Sequence, residues 1–502
     1  MSLGDLRWLL AFALLLTGWL LTRWVAGARL RFSAALPMDL LLPVTIFLLV
    51  LVLSARPLLA GIVALAVGAG WARADRDKRR VLAEPIVFTD VLQAFDIFRH
   101  PQLALPFPHK GRVLLVAVAT LTFFAGVIMM EPPAWSGRPW LPLLFVLAAS
   151  ISVALGRSLL PRGYLNFRQQ LSADPLLDTA RHGSLATVLL YGLFAHHERA
   201  RRRASLGPAG VANSDAFHGG PVLLVQNESF FDARRLHPAI PKDLLPQFDR
   251  GCRDSLSWGR LAVPSWGANT VRTEFAVLSG LTQQALGFDR FNPYYRFADA
   301  PLATLAHRFR AAGYRTICLH PFDCSFYRRD QVMPNLGFDE LLGEERFAGA
   351  ARVNGYVSDI EVARVATEII REQGPKVFLF IITIENHGPW FGAPDQQIGD
   401  LTSLPLDAGE RLGLNHYLSS LVHADTMFGL LRAELAAHTV PATLGFYGDH
   451  LPSFPSVFSK LGWRDAHSDY LIWHSRAGSG QQQDLAAEDL AAAFFEACCV
   501  SH

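Results

Sequence analysis

Residues 377–390 read VFLFIITIENHGPW. The first eight run unbroken by charge, as a strand covered on both faces requires. Asn386 and His387 lie just past them, so the strand ends in polar chemistry. Four more short apolar runs resemble it: PVLLVQ at 221–226, RTICL at 315–319, TLGFY at 443–447 and DYLIW at 469–473. Amphipathic stretches lie between them. In PLATLAHRFRAA (301–312), Leu302, Leu305 and Phe309 share one helical face, and Gly313 supplies a C-cap. Residues 356–372 and 415–437 read likewise. This alternation predicts an α/β domain with a mostly parallel sheet and helices on both faces. Ligands of such domains gather at the carboxyl ends of the strands.

That rule selects the candidate residues. Glu228 lies just past PVLLVQ, Asp449 and His450 lie just past TLGFY, and His387 lies just past VFLFIITI. A lone Asp-His after a strand is more often a loop cap than a ligand; three such ends in one domain point to a site. Glu228, Asp449 and His450 offer two carboxylates and one imidazole, a donor set suited to Zn²⁺ or Mn²⁺, with Mg²⁺ as a further option. In SWGANTVRTEF, a glycine-bearing turn runs into a helical pattern, which puts Thr270 at a helix N-terminus. Backbone N–H groups there favour an anion. A hydroxyl beside a metal is activated as a nucleophile. Thr270 also suits a plain N-cap, and Thr273 is its rival within the turn. His467 and Asp469 are candidates for extra ligands.

The first ~160 residues are different in kind. Apolar residues make up 51% of the 502-residue chain, and the excess is concentrated there. Five membrane helices are predicted, near 7–25, 38–55, 57–72, 113–130 and 140–158, each about long enough for a ~30 Å hydrocarbon layer. The third is short and glycine-rich. The first is no cleavable signal peptide, because no small-residue cleavage site follows Trp19 and Trp24. Val91, Leu92, Phe95 and Phe98 recur at helical spacing in a polar loop, which fits an interfacial amphipathic helix or an ordinary loop helix. The expected organisation is a transmembrane domain at 1–160, connector helices at 161–214, and a catalytic domain at 215–502. With five spans, the Arg-rich loops put the C-terminal domain in the cytoplasm. A net charge of +2 gives no case for nucleic acid as a partner. The five cysteines form no CxxC pair; Cys318 and Cys324 suit either a disulfide or two free thiols.

The order E…T(x)₂[ST]EF…NHxP…DH behind five spans resembles the lipoteichoic acid synthase branch of the alkaline phosphatase/sulfatase superfamily. EPIVFTDVL, between spans three and four, looks like that family too. The resemblance implies that Glu228, Thr270, Asp449 and His450 bind one divalent metal, with Thr270 as nucleophile and His387 on the substrate phosphate. DCSFYRRDQV resembles the family's head-group pocket, which implies Asp323, Tyr327 and Arg329 as substrate contacts; the family more often has Trp at Tyr327. It further implies a membrane-bound phosphoglycerol transferase. The donor would be phosphatidylglycerol and the acceptor a cell-envelope glycan or polyol. The catalytic domain would then lie on the extracytoplasmic side of a bacterial cytoplasmic membrane, against the Arg count. Phosphoethanolamine transfer is the alternative. A phosphoester or sulfoester hydrolase and a non-catalytic ligand-binding membrane protein come after it. SWGANTVRT lacks the Cys or Ser in a CxPxR-type context that sulfatases use.

Overall fold

The computed structural model describes residues 3–29, 35–99, 110–134, 168–205, 219–298, 302–390, 392–478 and 480–499, with isolated positions at 146, 147, 150 and 217. The chain divides into two compact units, Met1–Glu198 and Arg199–His502.

The first unit is helical. Its helices are α1 (Leu3–Val25), α2 (Leu36–Ser54), α3 (Pro57–Leu82), α4 (Phe88–Arg99), α5 (Lys110–Met130), α6 (Pro175–His182) and the start of α7 (Ser184–Ser205). Among the described residues, α1, α2 and α3 are long and apolar enough to cross a membrane. The fourth expected span falls on α5, whose apolar described part, Val118–Met130, is shorter. The fifth, at 140–158, lies almost wholly outside the described residues.

The glycines of α3 have a packing reason. A Cβ on Gly61 would come 2.6 Å from the Ala11 carbonyl oxygen, and one on Gly68 would come 2.6 Å from that of Gly18. Small residues let α1 and α3 pack backbone to backbone, the usual device between helices in lipid. The same helix runs on through RADRDKRR, where Lys78 pairs with Asp90 at 2.6 Å and fixes the start of α4. On α4, Val91 and Leu92 are exposed. A buried ion pair ties α1 to α2: Arg23 meets Asp39 at 2.7 Å. Asp39 also accepts from the Trp19 indole at 2.8 Å and from the backbone N–H of Ala186 in α7 at 3.1 Å.

The second unit is α/β. Its strands are β1 (Val222–Asn227), β2 (Ser257–Ala262), β3 (Arg315–Leu319), β4 (Glu340–Leu342), β5 (Arg352–Val353), β6 (Tyr356–Val357), β7 (Val377–Ile382), β8 (Thr443–Gly448), β9 (Ser468–His474), β10 (Gln481–Gln482) and β11 (Leu485–Ala486). The main sheet runs β10-β2-β9-β8-β1-β7-β3-β4, with β11 also on β2; β5 and β6 make a separate hairpin. The strand residues of β7 alternate between two cores. Val377, Leu379 and Ile381 belong to one, and Phe378, Phe380 and Ile382 to the other. This is the burial on both faces that its unbroken apolar run implied.

A mostly parallel sheet was expected, and the sheet is mixed. β8, β1, β7, β3 and β4 pair in parallel, while β9 is antiparallel to both β8 and β2. An apolar run such as DYLIW carries no signal of direction. The register sets up the site. Gln226 is level with both Ile382 and Tyr447, and Asn227 is level with Gly448. Glu228 and Asp449, one residue further on, therefore emerge side by side from adjacent strands.

Candidate active site

Glu228, Asp449 and His450 are all buried, and each offers a ligand atom within 4.8 Å of the others. His450 Nε2 is 3.2 Å from Asp449 Oδ2 and 3.6 Å from Glu228 Oε1. The second layer holds each group in place. Asp449 Oδ1 accepts from the N–H groups of Ser229 and His450, both at 2.8 Å. His450 Nδ1 lies 2.9 Å from the Leu451 carbonyl, so Nδ1 carries the proton and Nε2 turns a lone pair to the cluster. The Glu228 N–H donates to Thr383 Oγ1 at 3.0 Å, and Ser229 Oγ donates to Glu228 Oε1 at 2.9 Å.

Asp449 Oδ2 is buried and receives no backbone N–H; only His450 Nε2, at 3.2 Å, and the Thr270 hydroxyl approach it. A buried carboxylate oxygen with so few donors, amid a second carboxylate and an imidazole lone pair, fits a divalent cation by donor type. Burial, then the Glu228 charge, push the Asp449 carboxyl up to about 7. Burial opposes the charge on His450, but the Asp449 and Glu228 carboxylates outweigh it and raise its pKa. The cluster thus stores unfavourable negative charge that a divalent cation would offset. Among the described residues no second cluster of this kind forms. Asp469 accepts both Arg235 nitrogens, at 2.6 and 2.9 Å, and the Asp232 N–H at 2.7 Å. The His467 ring is bonded to Asp465.

Thr270 opens a helix, α8 (Thr270–Ser279), and its Oγ1 lies 3.4 Å from His450 Nε2. Its rival is engaged elsewhere: Thr273 is fully buried and donates to the Asp449 carbonyl at 2.6 Å. Glu274, next along that helix, is fully buried. Its carboxylate accepts from Gln226 Nε2 at 3.0 Å, from the Tyr294 hydroxyl, and from two nitrogens of Arg329.

The other expected contacts are placed as follows. Arg329 is buried, and its third nitrogen lies 3.3 Å from His320 Nε2. His320 Nδ1 faces the Ile382 carbonyl at 3.1 Å; burial, then Arg329, hold this ring neutral, far below its ordinary pKa. The Arg329 guanidinium lies 5.5 Å from the Tyr327 ring centre. Burial lifts the Tyr327 phenol to about 12; Arg329 opposes this and Glu228 adds to it, so Tyr327 lies within the field of the cluster. Asp323 is exposed and accepts the Ser325 N–H at 2.8 Å. His387 is half-buried, with Nδ1 2.6 Å from the Gly388 carbonyl and its ring edge-on to Tyr356 at 5.7 Å. All five cysteines are free, so Cys318 and Cys324 form no disulfide.

The Sulfatase family profile matches residues 222–498, from the first strand of the sheet to near its last helix. The chain belongs to the Sulfatase family. It is 30% identical over 414 residues to the capsular polysaccharide biosynthesis protein RkpI of Rhizobium meliloti strain 1021, which covers 79% of this chain and 74% of that protein. Among solved structures, the integral membrane protein lipooligosaccharide phosphoethanolamine transferase A (EptA) of Neisseria meningitidis matches with a TM-score of 0.55. That match covers 98% of this chain and 95% of the other at 13% identity, and it shows the shared fold. The Streptococcus pyogenes phosphoglycerol transferase GacH, in complex with sn-glycerol-1-phosphate, gives 0.48 at 22% identity, over 62% of this chain and 81% of that one. With its three spanning-length apolar helices, this Sulfatase-family chain is a membrane protein.

Sequence reasoning missed several groups around the site of this Sulfatase-family domain. Tyr356 is one: its ring meets His387, and burial, then the Glu228 charge, lift its phenol to about 12. The signal was available. Asn354–Gly355 between two short β-prone pairs is a hairpin turn signature, and both residues have positive φ, 52° and 85°. Asp359 and Glu385 are others. Glu385 accepts the Asp359 N–H at 2.6 Å and pairs with His423 Nδ1 at 2.7 Å. In the second unit, the described non-glycine residues with positive φ are Ser229, Asn269, Tyr327, Arg328 and Asn354. Ser229, Asn269 and Arg328 directly adjoin Glu228, Thr270 and Arg329. Such conformations cost about 1–3 kcal/mol each for an ordinary side chain and collect at functional sites.

Proposed function

We propose that this Sulfatase-family protein is a phosphoryl-group transferase that moves a phosphoglycerol head group from phosphatidylglycerol to a cell-envelope glycan or polyol. Thr270 is the nucleophile. The observation that carries this reading is the hydroxyl of Thr270 at a helix N-terminus, 3.4 Å from His450 Nε2 and hydrogen-bonded to the Asp449 carboxylate. Glu228, Asp449 and His450, with Thr270, would hold one divalent cation, Mn²⁺ or Zn²⁺ by donor type. Bound there, a cation lowers the pKa of the threonine hydroxyl and offsets charge on the non-bridging phosphate oxygens.

The residues divide the work as follows. Thr270 Oγ1, its proton already lost to solvent, attacks phosphorus as an alkoxide, and the bond from phosphorus to the diacylglycerol oxygen breaks. The head group stays on Thr270 as a phosphodiester. The N–H groups that open α8 face its charge. His387, with Nδ1 on the Gly388 carbonyl, has Nε2 left to exchange a proton: protonated, it hands one to the departing diacylglycerol oxygen. Neutral again, it takes one from the acceptor hydroxyl, which attacks phosphorus; the bond from phosphorus to Thr270 Oγ1 breaks, and Thr270 leaves as the alkoxide that began the cycle. Thr273 is unsuited to the nucleophile role because its hydroxyl is committed to the Asp449 carbonyl. The absence of a CxPxR-type Cys or Ser argues against sulfate-ester hydrolysis, and the name of the relative RkpI fits a glycan acceptor.

Phosphoethanolamine transfer is a second reading, and one observation favours it. Arg329, expected to contact the glycerol head group, directs its nitrogens to Glu274 and His320, while Asp323 in the same loop is an exposed carboxylate suited to an ammonium group. The catalytic domain is placed on the extracytoplasmic side of a bacterial cytoplasmic membrane. The Arg count opposed this, but Arg23 is buried against Asp39 rather than lying at a membrane surface. Mass spectrometry of the Thr270 peptide after incubation with each phospholipid tests the whole reading. A glycerophosphate adduct is expected; an ethanolamine-phosphate adduct selects the second reading, and the absence of both overturns the transferase.

A further inference from the structure

His387 is held along its whole loop by one neighbouring segment. Residues 354–359 run beside residues 385–389, and three ties join them in order. Asn354 Nδ2 donates to the Pro389 carbonyl at 2.9 Å, the Tyr356 ring meets the His387 ring edge-on at 5.7 Å, and the Asp359 N–H donates to Glu385 Oε2 at 2.6 Å. The ties thus lie after, at and before His387.

The segment is itself stiff. Its first half is the β5–β6 hairpin, closed by the Ser358 N–H on the Ala351 carbonyl at 3.0 Å. Its second half opens a helix, α9 (Asp359–Gln373), which Ser358 caps by accepting the Glu361 N–H.

Glu385 is the tie with the least freedom. It is 1% exposed, and its second oxygen accepts from His423 Nδ1 at 2.7 Å, on helix α10 (Ala408–Ala436). Each oxygen therefore meets an N–H from a different helix. A carboxylate suits this place and an amide does not, because an amide has one acceptor oxygen and would turn its NH₂ towards the other donor. The hydrogen bonds of Glu385 lead to Asp359 and His423, not to Glu228, Asp449 or His450. Its influence runs instead along the backbone to His387, two residues on. The His387 ring has Nδ1 on the Gly388 carbonyl at 2.6 Å, so the path of this loop sets where Nε2 points.

We propose that Glu385 is a positioning residue for proton exchange. With Asn354 at the far end of the loop, it aims His387 Nε2 at the diacylglycerol oxygen that leaves and the acceptor hydroxyl that replaces it. This rests on the transferase reading above and adds the residues that set its proton donor.

The test varies the leaving group. A diacylglycerol oxygen needs a proton as it departs, whereas a nitrophenolate leaves without one. The metal-loaded full chain in detergent is given phosphatidylglycerol or the para-nitrophenyl ester of glycerol phosphate. The single-turnover rate of Thr270 adduct formation is read by mass spectrometry. Glu385→Gln should slow the lipid reaction by at least about tenfold, part of the ~10²–10⁴-fold that a positioned proton donor supplies, and leave the nitrophenyl reaction almost unchanged. Asn354→Gly should act the same way to a smaller degree. Asn354 is exposed and its φ of 52° suits glycine, so this variant carries the test if thermal unfolding shows that Glu385→Gln misfolds. An equal loss from both donors overturns the proposal, because it assigns Glu385 to the fold at large. No loss from either donor overturns it too. So does a wild-type lipid rate in His387→Ala, which leaves no proton donor to aim. A wild-type chain that forms no adduct from either donor is a separate result, which removes the transferase reading itself. The ring is then still read by NMR of isotope-labelled histidine. The His387 signal, identified by its loss in His387→Ala, should shift or broaden in Glu385→Gln and Asn354→Gly, and an unchanged signal overturns the positioning role.

Discussion

Arg329 lays two nitrogens on the two oxygens of Glu274, at 2.8 and 3.2 Å, with both side chains out of solvent. The pair joins the helix that begins with Thr270 to the loop that carries Tyr327, so it fixes the geometry between nucleophile and head-group pocket. Removing one partner leaves the other charge buried and unmatched, at a cost of about 3–5 kcal/mol. Arg329→Ala is therefore expected to lower the unfolding temperature as well as transfer. Thermal unfolding of the detergent-solubilised chain checks this. An Arg329→Ala variant with wild-type stability and only a raised donor KM would show that Arg329 serves the substrate alone.

Asp449 Oδ2 supplies the clearest test of the cation. Asp449→Asn keeps the size of the side chain but removes the charge. It is expected to abolish metal retention and transfer, as chelation of the wild-type chain should. Metal content by elemental analysis before and after gel filtration is the readout. Retention of stoichiometric metal by the Asn variant would rule out Asp449 as a ligand. Stability should move the opposite way: with no cation present, removing one of two crowded carboxylates relieves repulsion, so the metal-free Asn variant should unfold no earlier than the metal-free wild type.

The parts legible in the sequence were those where pattern and chemistry coincide. VFLFIITI announced a strand covered on both faces, and the parallel register then made Glu228 and Asp449 neighbours without further help. What stayed hidden depended on long-range packing. Nothing in DYLIW states that β9 runs antiparallel. The strand β2, SWGRLA, flanked by β9 and by the short strands β10 and β11, carries a glycine and an arginine that depress any strand signal; Gly259 is required because a Cβ would lie 2.1 Å from the Gln483 carbonyl oxygen. Arg329 read as a substrate contact because a sequence does not show that Glu274, 55 positions earlier, would face it. Tyr356 was missed although its Asn-Gly turn was in plain view, because two-residue strands are too short for a period.

His423 should give the chain a pH-dependent increment of stability. Its hydrogen bond to Glu385 raises its pKa above the usual value near 6.5, against the effect of burial, with further help from Asp359 and Asp395. A raised folded-state pKa means that the folded chain holds the proton more tightly than the unfolded one. The increment is then full below the unfolded pKa and is lost as pH rises through the folded one. The difference in unfolding temperature between wild type and His423→Gln should be largest near pH 6 and shrink towards pH 9. A difference that stays constant over that range would mean that His423 acts through packing rather than charge.

Gly68 and Gly70 offer a matched pair within α3. A Cβ on Gly68 would meet the backbone of Gly18 at 2.6 to 2.8 Å, whereas one on Gly70 has nothing within 4 Å. Gly70→Ala changes only intrinsic helix preference and should be neutral or stabilising by about 0.5–1 kcal/mol. Gly68→Ala must push α1 and α3 apart along their shared seam, losing the close contact that holds helices together where no hydrophobic force acts between them. Overpacking of this kind costs about 1–3 kcal/mol. Unfolding in mild detergent should therefore come earlier for Gly68→Ala and no earlier for Gly70→Ala. Equal behaviour of the two variants would show that α1 and α3 do not pack backbone to backbone in the membrane.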